Sequence, residues 1–266
     1  MTQVKLGTGA YKERFLQDWD YCLKHFDVLE LQDFIMPDNL DNSEIIDEYL
    51  GMLSGFNGEI TLHGPYLNLA PTSIDNKVKE VAELRYLQAV EAANKFGADQ
   101  LVIHSFYDTT TGYSKYDGLW LEGNALFWDA FLPKVKGSGV TILLENVHDR
   151  IPDTFAKLQE LLDSSQISTC VDIGHGSCLS KYKPGEWVKK AGGHYFHIND
   201  NNGTSDGHLE PGKGNIDFHH VTEELAKLPV VYLIGEMWNS FAAQFESLNK
   251  LQEMINTKNL LYCSKL

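Results

Sequence analysis

Histidine and acidic side chains recur in this sequence directly after short apolar runs. The candidates for chemistry are His63, His104, Glu145, Asp172, His175, His197, Asp206, His208 and Glu236. A lone histidine in such a place usually packs in the core, but several carboxylates gathered together would repel one another and could not all stay ionised. Divalent cations remove that repulsion, and neutral imidazoles complete their coordination. We therefore predict a metal centre, because burying so many polar groups without ions is costly.

The elements that must position these side chains are eight apolar, β-branched runs. They span 4–9, 27–32, 59–64, 100–105, 140–146, 167–174, 194–200 and 230–236. The runs are continuous rather than alternating, which is typical of parallel strands buried on both faces. Helical patterns are predicted near 11–25, 43–56, 73–99, 119–136, 152–165, 184–191, 217–227 and 238–256.

A strand followed by a helix, repeated eight times, predicts an α/β fold: a single (β/α)₈ TIM barrel that spans residues 1–266 as one domain. A doubly wound sheet is the structural alternative, although it seldom needs eight regular units. In a barrel of this kind, functional residues gather at the carboxyl ends of the strands. The candidate ligands follow those strand ends, so we expect them to form one cluster.

The overall composition indicates where the protein is located in the cell and which kinds of partner it can bind. The first residues have no apolar signal segment, no apolar run is long enough to span a bilayer, and the four cysteines show no C-x-x-C spacing. We expect a reduced, cytoplasmic protein with no membrane association. The net charge of −15 opposes binding to phosphate backbones, which depends on lysine and arginine.

Segments around the candidate ligands resemble the endonuclease IV family, the AP endonuclease 2 branch of the xylose isomerase-like TIM barrels. These segments are "TLHGPYLNLA", "LVIHS", "LLENV", "CVDIGH", "FHIND", "DGHLEPGKGNI" and "LIGE". The resemblance implies up to three Zn²⁺ ions, with Mn²⁺ as the alternative ion. By that resemblance the first ion would be held by His63 and His104, the second by Asp172, His197 and Glu236 with Glu145 bridging both, and the third by His175, Asp206 and His208.

The segment 29–44 departs from the endonuclease IV pattern. It reads "LELQDFIMPDNLDNSE", contains no lysine or arginine, and carries several carboxylates. That composition is unsuited to a DNA backbone. The motif "LELQ" also resembles the corresponding segment of sugar isomerases. His208 argues the other way, because related isomerases and epimerases commonly have an arginine there and use one metal.

Five further residues are candidates for substrate contact. Tyr66 follows a metal-ligand histidine, and Tyr107 and Trp120 belong to an aromatic segment that could cover a small polar ligand. Arg150 and Lys213 follow ligand-bearing strand ends and could meet an anionic group. Each has an ordinary alternative, as a pocket wall or a solvated charge.

Three functions follow from these residues. The leading hypothesis is a metal-dependent phosphoester hydrolase of the endonuclease IV type, acting on a small anionic or sugar-like molecule rather than on duplex DNA. The second is a sugar or sugar-phosphate isomerase or epimerase in which Glu145 and Glu236 shuttle a proton between carbons. The third is a metal-containing binding protein without turnover. In the first two, Glu145 and Glu236 are the catalytic candidates.

Overall fold

A closed barrel of parallel strands forms the centre of the computed structural model, which describes residues 1–107, 116–178 and 180–263. The strands are β1 (Gln3–Ala10), β2 (Val28–Leu31), β3 (Glu59–His63), β4 (Gln100–His104), β5 (Thr141–Glu145), β6 (Ile167–Asp172), β7 (Tyr195–Ile198) and β8 (Val230–Gly235). Each strand pairs with the next along the chain, and β1 closes the barrel against β8. The predicted (β/α)₈ barrel is confirmed.

Helices surround this barrel. They are α1 (Lys12–His25), α2 (Pro37–Leu40), α3 (Ser43–Met52), α4 (Asn76–Phe96), α5 (Tyr116–Phe131), α6 (Asp153–Leu162), α7 (Ile173–Cys178), α8 (Pro184–Ala191), α9 (Phe218–Leu225) and α10 (Phe241–Cys263), with 3-10 turns at Asp33–Ile35 and Leu132–Val135. Side-chain caps start several of them: Asp75 accepts a hydrogen bond from the Lys77 N–H at the start of α4. No helix in the described ranges is long and apolar enough to cross a membrane.

Apolar side chains occupy two layers. One layer lies between the strands and the helices, and a smaller one fills the barrel lumen with Val28, Val102, Leu143, Cys170, Tyr195, Tyr232 and Ile234. Because these side chains occupy the lumen, the polar side chains of the strands gather near its ends. At the carboxyl end, the strand register places these side chains at one level, since His104 lies opposite Glu145 and Asp172 lies opposite His197 on paired strands.

One predicted boundary needs correction. The sequence indicated a strand from 167 to 174, but β6 ends at Asp172 and α7 begins at Ile173. The carboxylate of Asp172 accepts a hydrogen bond from the His175 N–H at 2.6 Å, which favours a helical turn immediately after the strand. His175 therefore reaches the carboxyl end of the barrel from the first turn of a helix.

Candidate active site

Glu145, at the end of β5, lies at the centre of the predicted ligand cluster. Its Oε2 is 3.2 Å from His63 Nε2 and 3.3 Å from His104 Nε2. Two groups of candidate ligands share it: His63, His104 and Glu145, and then Glu145, Asp172, His197 and Glu236, in each of which the ligand atoms lie within 4.8 Å of one another. The strand ends thus bring together the side chains that the sequence assigned to a first and a second ion.

His197 provides the test of whether these residues suit a cation. Its Nδ1 is buried and makes no hydrogen bond to the described residues. Three carboxylates surround this nitrogen: Glu145 Oε1 at 3.2 Å, Glu236 Oε2 at 3.4 Å and Asp172 Oδ2 at 4.0 Å. Nitrogen and carboxylate donors in such an arrangement are the ligands that Zn²⁺ and Mn²⁺ prefer. The residues present therefore fit a divalent ion.

Backbone carbonyls orient three of the other histidines. Nδ1 of His63 lies 3.0 Å from the Gly64 carbonyl, and Nδ1 of His175 lies 2.9 Å from the Asn146 carbonyl. Nδ1 of His208 contacts the Glu236 carbonyl. We assign the N–H to the nitrogen beside the carbonyl in each ring, which leaves the Nε2 lone pair directed towards a carboxylate.

A third group of ligand candidates forms around Asp206. Its Oδ2 is 2.8 Å from His208 Nε2 and 3.3 Å from His175 Nε2. The loop that carries it is held by the buried Asp200, whose carboxylate accepts hydrogen bonds from the N–H groups of Gly212, Gly214 and Ile216. A Cβ at Gly214 would lie 2.2 Å from the Asn201 carbonyl oxygen, so only glycine allows this close turn.

Burial and neighbouring charges shift the pKa values of the site's carboxylates, upward for some and downward for others. Burial raises the pKa of Glu236 to about 7, and the charges of Glu145 and Glu30 add to that rise against the effect of His197. Burial also acts on Glu145, but His197 and His104 outweigh it and hold the pKa of Glu145 well below its usual range. Burial raises the pKa of Asp172. Burial lowers the pKa of His197 and His175, but the surrounding acidic groups outweigh it and raise both, so protonated rings balance part of the acidic charge, a role that a bound cation would also fill.

A cavity of about 530 Å³ opens beside this cluster. Its lining combines apolar and aromatic side chains with polar ones: the former are Tyr66, Phe106, Tyr107 and Val147, and the latter are His104, His148, His175, Cys178, Thr204, Ser205 and Asp206. Tyr66 stacks on the His104 ring with 3.7 Å between ring centroids. No lysine or arginine lines the cavity in the described part of the chain. A ligand here would meet aromatic faces, imidazoles and hydroxyls.

The candidates for substrate contact divide into two sets. Tyr66 and Tyr107 line the cavity, while Arg150, Trp120 and Lys213 are not among its lining residues. The Arg150 guanidinium lies over the Tyr107 ring, 5.9 Å from its centroid. Trp120 is only 2% exposed, and its N–H donates to the Ser105 carbonyl at 3.0 Å. Trp120 therefore packs in the core, which leaves the hypothesis of a lid residue without support.

Sequence reasoning overlooked Glu30 and Gln32 at the end of β2. Both are buried, and the carboxylate of Glu30 lies 3.0 Å from His197 Nε2. Gln32 donates hydrogen bonds from Nε2 to Glu30 and to Glu236. The available signal was the motif "LELQ", in which two polar residues interrupt an apolar strand. Asn199 was also overlooked; its Nδ2 donates to Asp172 Oδ2 at 3.1 Å.

Comparison with known proteins places this barrel in a family. A family model described as xylose isomerase-like TIM barrel matches residues 22–256. The chain belongs to this family. An uncharacterized protein of Methanocaldococcus jannaschii, MJ1311, is 27% identical and covers 75% of this chain and 72% of its own length. The resemblance noted in the sequence is confirmed as far as the xylose isomerase-like TIM barrels.

Solved structures with the same fold include sugar epimerases. A D-tagatose 3-epimerase-like protein has a TM-score of 0.82 and 24% identity, covering 97% of this chain and 99% of its own. A protein from Thermus thermophilus, soaked with ZnCl₂, has a TM-score of 0.73 and 23% identity, covering 95% and 98%. A D-psicose 3-epimerase with D-tagatose, from Clostridium cellulolyticum H10, has a TM-score of 0.71 and 14% identity, covering 96% and 99%. These matches describe the barrel.

Proposed function

We propose that this member of the xylose isomerase-like family is a metal-dependent isomerase or epimerase of a small, uncharged sugar-like substrate. The observation that carries the proposal is the ligand group Glu145, Asp172, His197 and Glu236 beside a cavity whose described lining has no lysine or arginine. A phosphorylated substrate is usually gripped by such cations. A polyol with a carbonyl needs hydrogen-bonding side chains and an aromatic wall, which this cavity has.

The residues of the site divide the work. Glu145, Asp172, His197 and Glu236 would hold one divalent ion, which when bound polarises a substrate carbonyl and the hydroxyl beside it. Glu145 is the last residue of β5 and Glu236 directly follows β8, so they approach the cluster from different strands of the barrel. One carboxylate takes a proton from the carbon next to the carbonyl, and the other returns it. Tyr66 and Phe106 would present aromatic faces to the bound substrate.

Phosphoester hydrolysis is the second candidate. Two observations favour it: the additional ligand group His63, His104 and Glu145, and the contacts of Asp206 with His175 and His208. Hydrolysis by adjacent ions uses several ligand groups of this kind, whereas isomerisation with one ion does not require them. We expect duplex DNA to be a poor substrate, because the protein has a net charge of −15 and repels the phosphate backbone.

Proton exchange with solvent tests the leading proposal. The protein loaded with Mn²⁺ or Zn²⁺ is incubated with single ketoses and aldoses in D₂O, and deuterium at the carbon next to the carbonyl is followed by NMR. We expect deuterium incorporation together with an epimer or isomer. Glu145→Gln and Glu236→Gln should each reduce the rate by about 100-fold or more, the usual contribution of a general acid or base. Glu253→Gln, an exposed carboxylate on α10, is the matched control and should leave the rate unchanged.

A parallel assay separates the two candidates. The same metal-loaded protein is given nitrophenyl phosphate esters and abasic duplex DNA at low salt, where electrostatic binding is strongest. The leading proposal predicts no turnover of either. Hydrolysis that is lost in Glu145→Gln, without deuterium exchange in any sugar, would establish the hydrolase instead.

A further inference from the structure

Glu30 is a buried carboxylate that no lysine or arginine among the described residues pairs with. It is 0% exposed and contacts Tyr195 of the lumen and His197 of the metal-ligand cluster. Its Oε2 accepts a hydrogen bond from the Tyr195 hydroxyl at 2.8 Å and lies 3.0 Å from His197 Nε2, while its Oε1 accepts one from Gln32 at 2.8 Å. Burying a carboxylate without a lysine or arginine partner costs free energy, which suggests that Glu30 has a functional role.

We propose that Glu30 is a positioning residue that fixes the ring of His197 for metal binding. Its carboxylate accepts the Nε2–H, so the lone pair remains on Nδ1, the atom that faces Glu145, Asp172 and Glu236. A carboxylate behind a ligand histidine also strengthens the ring as a donor, because it stabilises the positive charge that the ring acquires on binding. The inference rests on the proposed function only in requiring that this ligand group takes a cation.

Gln32 extends the same arrangement to a second ligand. Its single amide nitrogen donates to Glu30 Oε1 and also to Glu236 Oε1, which uses both of its hydrogens. The backbone of β1 leaves room for it, since a Cβ at Gly9 would lie 2.5 Å from Gln32 Oε1. Glu30 and Gln32 therefore orient His197 and Glu236 from one strand end.

A purely structural role for Glu30 makes a different prediction from a positioning role. If Glu30 only satisfied Tyr195 and Gln32 in the lumen, neutralising it would change the stability of the fold and leave the affinity for ions untouched. If it positions His197, neutralising it weakens metal binding even in a fully folded protein. Metal affinity therefore separates the two roles, and it requires no knowledge of the substrate.

The experiment compares two nearly isosteric variants in the full chain. Glu30→Gln removes the charge that faces His197, whereas Tyr195→Phe removes another hydrogen bond to Glu30 and keeps the contact with the ring. Zn²⁺ affinity is measured by competition with a chromophoric chelator, and folding is checked by circular dichroism. We expect Glu30→Gln to weaken binding by about 10- to 100-fold, the range found for residues that support ligand histidines. Tyr195→Phe should change it by less than about threefold on the same reasoning.

A measurement on the unmodified protein guards against a variant that does not fold. Nitrogen-15 NMR of histidine-labelled protein should show His197 protonated at Nε2, and Zn²⁺ should shift the Nδ1 signal. A His197 ring protonated at Nδ1 and not at Nε2, or a Zn²⁺ affinity of folded Glu30→Gln equal to that of the unmodified protein, would overturn the role of Glu30 while leaving the proposed function intact. An unmodified protein that binds neither Zn²⁺ nor Mn²⁺ would instead overturn the proposed function, and the role of Glu30 with it.

Discussion

The two ends of the barrel lumen solve the same electrostatic problem in different ways. At the amino end of the strands, the Glu59 carboxylate is paired with Lys5 and accepts a hydrogen bond from the Tyr232 hydroxyl at 2.8 Å. Lys5 also donates to that hydroxyl at 3.0 Å, so the three side chains form a closed and nearly neutral group. This end contains its own cation.

The carboxyl end of the lumen contains carboxylates without such a partner. The ion-pair contacts of Glu145, Asp172 and Glu236 are to histidines alone within the described residues. The pKa shifts differ as well. At the carboxyl end, burial and neighbouring carboxylates raise the pKa of Glu236 while histidines lower that of Glu145. At the amino end, burial opposes the hydrogen bonds from Lys5 and Tyr232, which together outweigh it and lower the pKa of Glu59. The difference teaches that the carboxyl end offers candidate ligands for a cation from solution, while the amino end already contains a cationic side chain.

Metal removal should give the largest effect on stability, because the carboxyl end has no lysine or arginine of its own among the described residues to replace a bound ion. An ion that binds the folded chain alone stabilises it by about 2.7 kcal/mol when its concentration is 100 times its dissociation constant. We expect chelator-treated protein to lose at least that free energy of unfolding relative to Zn²⁺-saturated protein, measured by urea denaturation. Glu59→Gln should show the same dependence on Zn²⁺ as the unmodified chain. Equal stability with and without ions would abolish the distinction between the two ends.

Substitutions in the loop that carries Asp206 should give the next largest effect. Asp206→Ala or His208→Ala removes part of the third ligand group, in which Asp206 contacts both His175 and His208. If the chain holds three ions, as the hydrolase candidate requires, elemental analysis should show one ion fewer per chain in either variant; an isomerase with one ion should keep that ion in both. Glu210→Ala, on the same loop, is the control and should keep the full number. An unchanged metal content in both variants would show that this loop does not hold an ion.

The sequence predicted the candidate ligands at the carboxyl end of the barrel, but not the residues that orient those ligands. Parallel strands of one barrel end together, so histidines and acids after each run had to converge. Glu30 escaped notice because it lies inside a strand motif, and its contact with His197 joins residues that are 167 positions apart in the chain. Such a pairing across the lumen depends on the barrel closing with its particular register, which no local pattern encodes.

Helical and aromatic patterns left other details open. His175 was assigned to a strand end, but the carboxylate of Asp172 starts a helix there. Trp120 is a sequence candidate for covering the cavity, but its indole is buried and packs against Phe155. An aromatic residue on an amphipathic helix is compatible with either location, and only the packing of α5 against α6 decides between them.

The smallest predicted effect tests the amino end, where Glu59→Gln should cost about 0.5–1 kcal/mol of unfolding free energy at pH 7. The Glu59 side chain is 40% exposed, so solvent screens its pair with Lys5 and keeps the loss in the range of surface pairs. Burial alone would raise the pKa of Glu59, but the hydrogen bonds from Lys5 and Tyr232 outweigh burial and lower the pKa from its usual value of 4.5. Its stabilisation is therefore complete above pH 4.5 and is lost as the pH falls through the lower folded value.

Urea denaturation of metal-free protein at pH 7, and at steps below pH 4.5, should show the difference between Glu59→Gln and the unmodified chain shrinking as the pH falls. Titration of the carboxyl-end cluster affects both proteins alike and cancels in that difference, because Glu59 lies at the opposite end of the lumen. Zn²⁺ affinity should be the same in both proteins. A difference that stays constant with pH, or an altered Zn²⁺ affinity, would mean that the amino end is electrostatically linked to the site and that the two ends do not act independently.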